Sequence, residues 1–160
     1  MNFHFDKEQL QDFKANIKKE WAITNVLGGY AGGSINGAQN RTHQGYLIAS
    51  LHPPVERYMV FSKTNEHFLV DDEIINFETA QHADKNGAPI YTEGQKYLES
   101  FDYDGTVTFK YSANHIQLKK QLTLVQGENT AALAYEITNS GKACKFFITP
   151  LMNYTDHNTD

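Results

Sequence analysis

Residues 97–139 read "YLESFDYDGTVTFKYSANHIQLKKQLTLVQGENTAALAYEITN". Two β-rich runs, "YLESFDY" and "TVTFKYS", flank Asp104-Gly105, a dipeptide that favours the left-handed backbone of a tight hairpin turn. In the next run Ile116, Leu118, Leu122 and Leu124 recur with period two, so they share one face of a strand, with Lys120 the single intruder. Leu133, Tyr135 and Ile137 alternate likewise. Successive amphipathic strands of this length with turn signals between them predict a mainly β chain built as an antiparallel sandwich.

The pattern extends outward on both sides. "QGYLIASL" and "RYMVFSKT" read as strands joined by "HPPVE", whose prolines forbid a helix. Residues 144–151, "CKFFITPL", form a further strand, with Phe146 and Ile148 on one face and Phe147 and Leu151 on the other. That strand is expected to lie at a sheet edge, and its uncovered apolar pairs imply self-association. Residues 6–19, "DKEQLQDFKANIKK", place Leu10, Phe13 and Ile17 on one stripe and predict one short N-terminal helix capped by Asp6.

The chain has 160 residues, enough for one domain with a real core, and 10 Phe, 9 Tyr and 1 Trp to fill it. The net charge of −5, with no run of lysine or arginine, argues against nucleic acid. No stretch approaches the roughly 20 apolar residues of a membrane helix. The N-terminus lacks the apolar segment of a secretion signal, so a cytoplasmic location is expected. Cys144 is the one cysteine, so it has no internal disulfide partner, and a buried inert thiol is expected there. The histidines at 4, 43, 52, 67, 82, 115 and 157 show no metal-ligand spacing. No metal or other cofactor is expected. "DYDG" at 102–105 opens like a calcium loop, but the twelfth position is Ala113, which carries no carboxylate. The acids of "VDDEI" at 70–74 read as a solvated bend.

Six of the 11 glycines fall between Gly28 and Gly45. Glycine clusters where backbone takes positive φ or something approaches it closely. A phosphate loop would need Lys-Ser/Thr at a helix start, and no lysine follows until Lys63. A dinucleotide fingerprint would need glycine at position 30, which is Tyr30, and a helix where "QGYLIASL" predicts a strand. A strand–loop–strand segment remains, in which the glycines either only make turns or allow side chains to face a sugar. Sugars offer apolar C–H faces edged by hydroxyls, and aromatic rings with planar amides and guanidinium groups suit them. Trp21, Asn25, Tyr30, Arg41 and Gln44 supply those groups, and they are expected to gather at one end of the sandwich. In the plainer alternative Trp21 is simply core.

The order "EWAITNVLGGYAGG…NGAQNRTHQGYLIA" resembles the N-terminal domain of bacterial and archaeal glycogen debranching enzymes. Glu20, Trp21, Thr24, Asn25, Gly28, Gly29, Tyr30, Ala31, Gly37, Arg41, Gly45 and Leu47 match its pattern. The likeness continues through "PP" at 53–54, "YLESF" at 97–101, "GENTAALAYEI" at 127–137 and "PLMNYTDH" at 150–157. Thr42, His43 and Gln44 stand where the family places arginine, tyrosine and histidine, and Thr155 replaces an arginine. Roles of those basic groups therefore do not carry over.

The resemblance implies a supersandwich of the galactose mutarotase kind and a single domain over residues 1–160. It implies an accessory module that positions α-glucan for cleavage of α-1,6 branches. Glycoside hydrolysis demands a pair of acids, and in this family they belong to a C-terminal (α/α) toroid that this chain does not contain. The chain is expected to be a fragment of the accessory domain, without catalysis of its own, whose partners are an α-glucan and the toroid. A self-contained mutarotase-like enzyme would need a positioned histidine–carboxylate pair, which the sequence does not display. A purely structural module is the remaining alternative.

Overall fold

The computed structural model describes residues 2–157. Along the chain run β1 (Phe3–Asp6), the single-turn helices α1 (Lys7–Leu10) and α2 (Phe13–Asn16), β2 (Glu20–Thr24), β3 (Tyr30–Ser34), β4 (Gly45–His52), β5 (Val55–Val70) and β6 (Glu73–Asn76). A hairpin of β7 (Thr79–Ala83) and β8 (Pro89–Glu93) follows, then a short 3-10 turn, Gly94–Tyr97. After it come β9 (Leu98–Tyr103), β10 (Val107–Ala113), β11 (Ile116–Leu124), β12 (Ala131–Asn139) and β13 (Lys145–Asp156).

Two antiparallel sheets face each other, as a β-sandwich. One has the order β1-β9-β10-β11-β12; the other runs β13-β5-β4-β3-β2, with β6 also paired to β5. The core lies between them, where strand alternation turns every second side chain inward. Trp21 and Ile23 enter it from β2, Phe68 from β5, Phe101 from β9, Phe109 and Tyr111 from β10, and Leu118 and Leu122 from β11. Phe68, Phe101 and Phe109 are at most 1% exposed, and each such ring contributes on the order of 1.5–3 kcal/mol by leaving water.

Lys120, the intruder on the apolar face of β11, is also inside. Its Nζ lies 2.7 Å from Oε1 of Glu66 on β5, so the pair bridges the two sheets. The Tyr135 hydroxyl on β12 donates to the same oxygen at 2.7 Å, and Thr64 Oγ1 is 2.9 Å from that hydroxyl. The Lys120 ammonium also sits over the Tyr46 ring, 4.8 Å from its centroid. Burial alone would lower the Lys120 pKa, but the Glu66 carboxylate together with the Tyr135 and Tyr111 hydroxyls outweighs it and holds the value above the usual lysine range.

The expected turns form where Asp104-Gly105 and "VDDEI" stand. Gly105 takes φ +102 between β9 and β10, and Asp71 and Asp72 both take positive φ between β5 and β6. The N-terminal segment differs from one continuous helix. Asp6 does cap a helix, accepting from the Gln9 amide. Asp12 then caps a second one by accepting from Ala15 N, and this local competition splits the segment into two single turns. Leu10 and Ile17 are still buried. Cys144 is half-buried rather than enclosed, and its sulfur accepts from Asn139 Nδ2 at 3.5 Å.

The strand expected over 144–151 is β13, an edge strand beside β5. Its faces divide as the alternation requires. Phe146 turns inward and stacks on Phe68, with centroids 4.6 Å apart. Phe147 stacks on His67 on the opposite face and stays 41% exposed. Ile148, on the inner face, is 42% exposed, because β12 and β13 together leave that margin of the sandwich open.

Candidate functional site

The glycine-rich segment makes β2, β3 and the loop that leads into β4. Gly33 sits under Trp21: a Cβ there would lie 3.1 Å from the indole ring, so glycine lets the ring rest on the β3 backbone without shifting. Gly28 takes φ +94, and a Cβ there would come within 2.5 Å of the Pro54 carbonyl oxygen. These glycines serve a strand approach and a tight turn. No phosphate geometry is involved.

Residues 35–44 connect β3 to β4, with Ile35, Asn36 and Ala38 buried and Gly37 facing the Tyr111 hydroxyl of the core. Buried Asn36 shapes the loop, accepting through Oδ1 from Ser34 Oγ at 2.8 Å and from Ala38 N at 3.1 Å. Gln39 ties it to β5, donating to Ser62 O at 2.6 Å. At its end Gln44 Oε1 accepts from Asn40 N at 2.8 Å, while its Nε2 donates to Glu20 Oε1 at 3.2 Å. Arg41 Nε forms an ion pair with the same Glu20 oxygen at 3.0 Å. Glu20 therefore gathers a guanidinium and an amide at one point. Next to them Gln39, Asn40, Arg41, Thr42 and Gln81 of β7 line an open cleft of about 460 Å³.

Tyr30 joins this surface from β3. Its hydroxyl donates to His43 O at 2.8 Å and lies 3.2 Å from His157 Nδ1. The His43 and His157 rings stand 4.4 Å apart. Burial raises the Tyr30 phenol, partly offset by Arg57. Burial, His43 and Arg57 hold the His157 imidazole below the usual histidine range against the pull of Asp156, so it is neutral at pH 7.

Of the five residues expected to share a site, three come together. Tyr30, Arg41 and Gln44 meet around one loop. Trp21 turns to the other face of β2, 7% exposed, with its indole N–H donating to Ser34 O at 3.2 Å. Asn25 is fully buried at a different corner. Its Nδ2 donates to Glu128 O at 2.8 Å and to Asn129 Oδ1 at 3.2 Å, and its Oδ1 accepts from Leu27 N at 3.0 Å. Both thus hold the fold. Sequence reasoning left out Glu20, His43 and His157 as site residues. Glu20 was within reach, since a neighbour of an inward tryptophan on a strand must face outward.

Chemically, the patch offers planar hydrogen-bonding groups and ring edges around a shallow cleft. Its Glu20 carboxylate is already engaged by Arg41 and Gln44. Among the described residues no group of three or more His, Cys, Asp or Glu is placed to hold a metal, and no helix is long and apolar enough to cross a membrane.

No curated protein and no solved structure matches the chain. The family model described as "Glycogen debranching enzyme N terminal" matches residues 19–160, which include both sheets except β1. With most of its length matched, and with the motif that forms β2, β3 and the polar loop inside the match, the chain belongs to the family of glycogen debranching enzyme N-terminal domains.

Proposed function

We propose that this chain is a substrate-positioning module for an enzyme that cleaves α-1,6 branches of α-glucans, and that Tyr30, Arg41 and Gln44 contact the glucan. The observation that carries this is the Glu20–Arg41–Gln44 cluster beside the polar cleft, within a segment the family match covers. Trp21 and Asn25 support this surface from buried positions. The hydrolytic step belongs to a separate (α/α) toroid domain, and the setting is cytoplasmic. An acid pair is what glycoside hydrolysis requires, and the Glu20 carboxylate is already engaged by Arg41 and Gln44.

Calorimetric titration of the purified chain with maltoheptaose tests the reading. Binding is expected, and Arg41→Ala, at an exposed side chain, should weaken it about tenfold by removing a charge-assisted donor. Branched dextrin should release no glucose. Unchanged affinity in Arg41→Ala, or glucose release that survives repurification and is lost on mutating one carboxylate, contradicts the proposal.

We also propose that two copies associate through the β13 margin, where Phe147 and Ile148 stand exposed on an unpaired edge. Light scattering at several concentrations should show mass above 18.2 kDa, reduced to the monomer by Phe147→Lys. A constant monomer mass refutes this.

A further inference from the structure

At the margin opposite β13 the two sheets end in β1 and β2, and between them lies a cleft of about 400 Å³. That size falls within the roughly 300–1,000 Å³ usual for small-ligand sites. Phe3, Phe5, Trp21, Phe101 and Tyr103 line it, with Lys19 and Glu20 at the rim. Phe3 and Phe5 lie on one face of β1, opposite Tyr103 and Phe101 in register on β9. The Phe3 and Tyr103 rings, 6.2 Å apart and inclined by 40°, make a bent platform, and Phe3 is 47% exposed. Lys19 Nζ rests over the Phe5 ring, 5.3 Å from its centroid.

Glu20 lines this cleft and also binds Arg41 and Gln44, so the aromatic cleft and the polar patch are continuous across one side chain. From this juxtaposition we infer that the cleft between β1 and β2 is a second glucan subsite. It would receive sugar units beyond those held at Arg41 and Gln44, with the C–H faces of glucose stacked on Phe3 and Tyr103. The inclined rings suit an α-1,4-linked chain, whose successive units turn relative to one another. Charged groups at the rim suit its hydroxyls. An added peptide strand fits less well, because the Tyr103 hydroxyl already donates to the β2 carbonyl of Ala22 at 3.2 Å. This inference rests on the glucan-positioning reading above.

The test compares maltotriose, too short to occupy both places, with maltoheptaose, titrated into the full chain and into Phe3→Leu and Phe3→Trp. Leucine keeps the apolar bulk of a half-exposed site and removes only the flat ring; tryptophan restores a larger one. Maltoheptaose should bind the native chain about threefold to tenfold more tightly than maltotriose, as expected for one or two aromatic stacking contacts. Phe3→Leu should abolish that advantage with maltotriose affinity unchanged, and Phe3→Trp should keep it. If the advantage persists in Phe3→Leu, or is absent from the native chain, the second subsite is wrong and the polar patch stands. If neither sugar binds the native chain, the underlying reading fails with it.

Discussion

Lys120→Met is expected to destabilise the domain by about 3–5 kcal/mol, the cost of leaving a buried carboxylate without its counter-ion. Both side chains are 3–4% exposed and the contact is 2.7 Å, so water cannot replace the lost ammonium. The Tyr135 hydroxyl still donates to Glu66, but one neutral donor does not balance a charge in that environment. Adding Glu66→Met should recover most of the loss, because an apolar pair fills the space without desolvating ions. Because the folded lysine pKa is raised, the contribution is fully present below pH 10.5 and is lost as pH rises through the higher folded value. Urea denaturation with an unchanged slope measures the effect. A loss below about 1 kcal/mol in the single variant would show that the pair is solvated in solution.

Asn25→Ala should cost about 1–3 kcal/mol, since it orphans the Leu27 amide and takes one donor each from the Glu128 carbonyl and Asn129 Oδ1 at a part-buried corner. Asn129 in turn accepts from Ser50 N at 3.1 Å and donates to Ser50 O at 2.7 Å. Asn25 is therefore the first link of a chain joining the β11–β12 turn to β4. The loss should appear in the melting temperature, with glucan affinity unchanged below the transition. An unchanged melting temperature with lost affinity would reverse the assignment and make Asn25 a sugar contact.

Period-two alternation made the sheets legible from sequence, and it also exposed Lys120 as a charge on an apolar face. Its partner was not legible, because Glu66 lies on a strand distant in sequence and only the stacking of the two sheets brings them together. The same limit explains Asn25 and Trp21. Each has a side chain suited to sugar, but Trp21 shares the inward parity of Ile23, and Asn25 finds its partners on the β11–β12 turn. Arg41 and Gln44 were legible as a pair through their closeness in the loop, and Glu20 completes them only because β2 lies alongside. β1 escaped notice because four residues, Phe3–Asp6, are too few for alternation to stand out. The helix beyond it divided because two aspartates compete to cap it.

On the proposed reading, α-glucan lies around Glu20, Arg41 and Gln44. Amide chemical-shift mapping during a maltoheptaose titration tests it most directly. Perturbed residues are expected to concentrate at Tyr30 and across 39–44, extend through Glu20 toward Phe3 and Tyr103, and spare Asn25 and the β11–β12 turn. Shifts centred on Asn25 and that turn, or no shifts at saturating sugar, would contradict it.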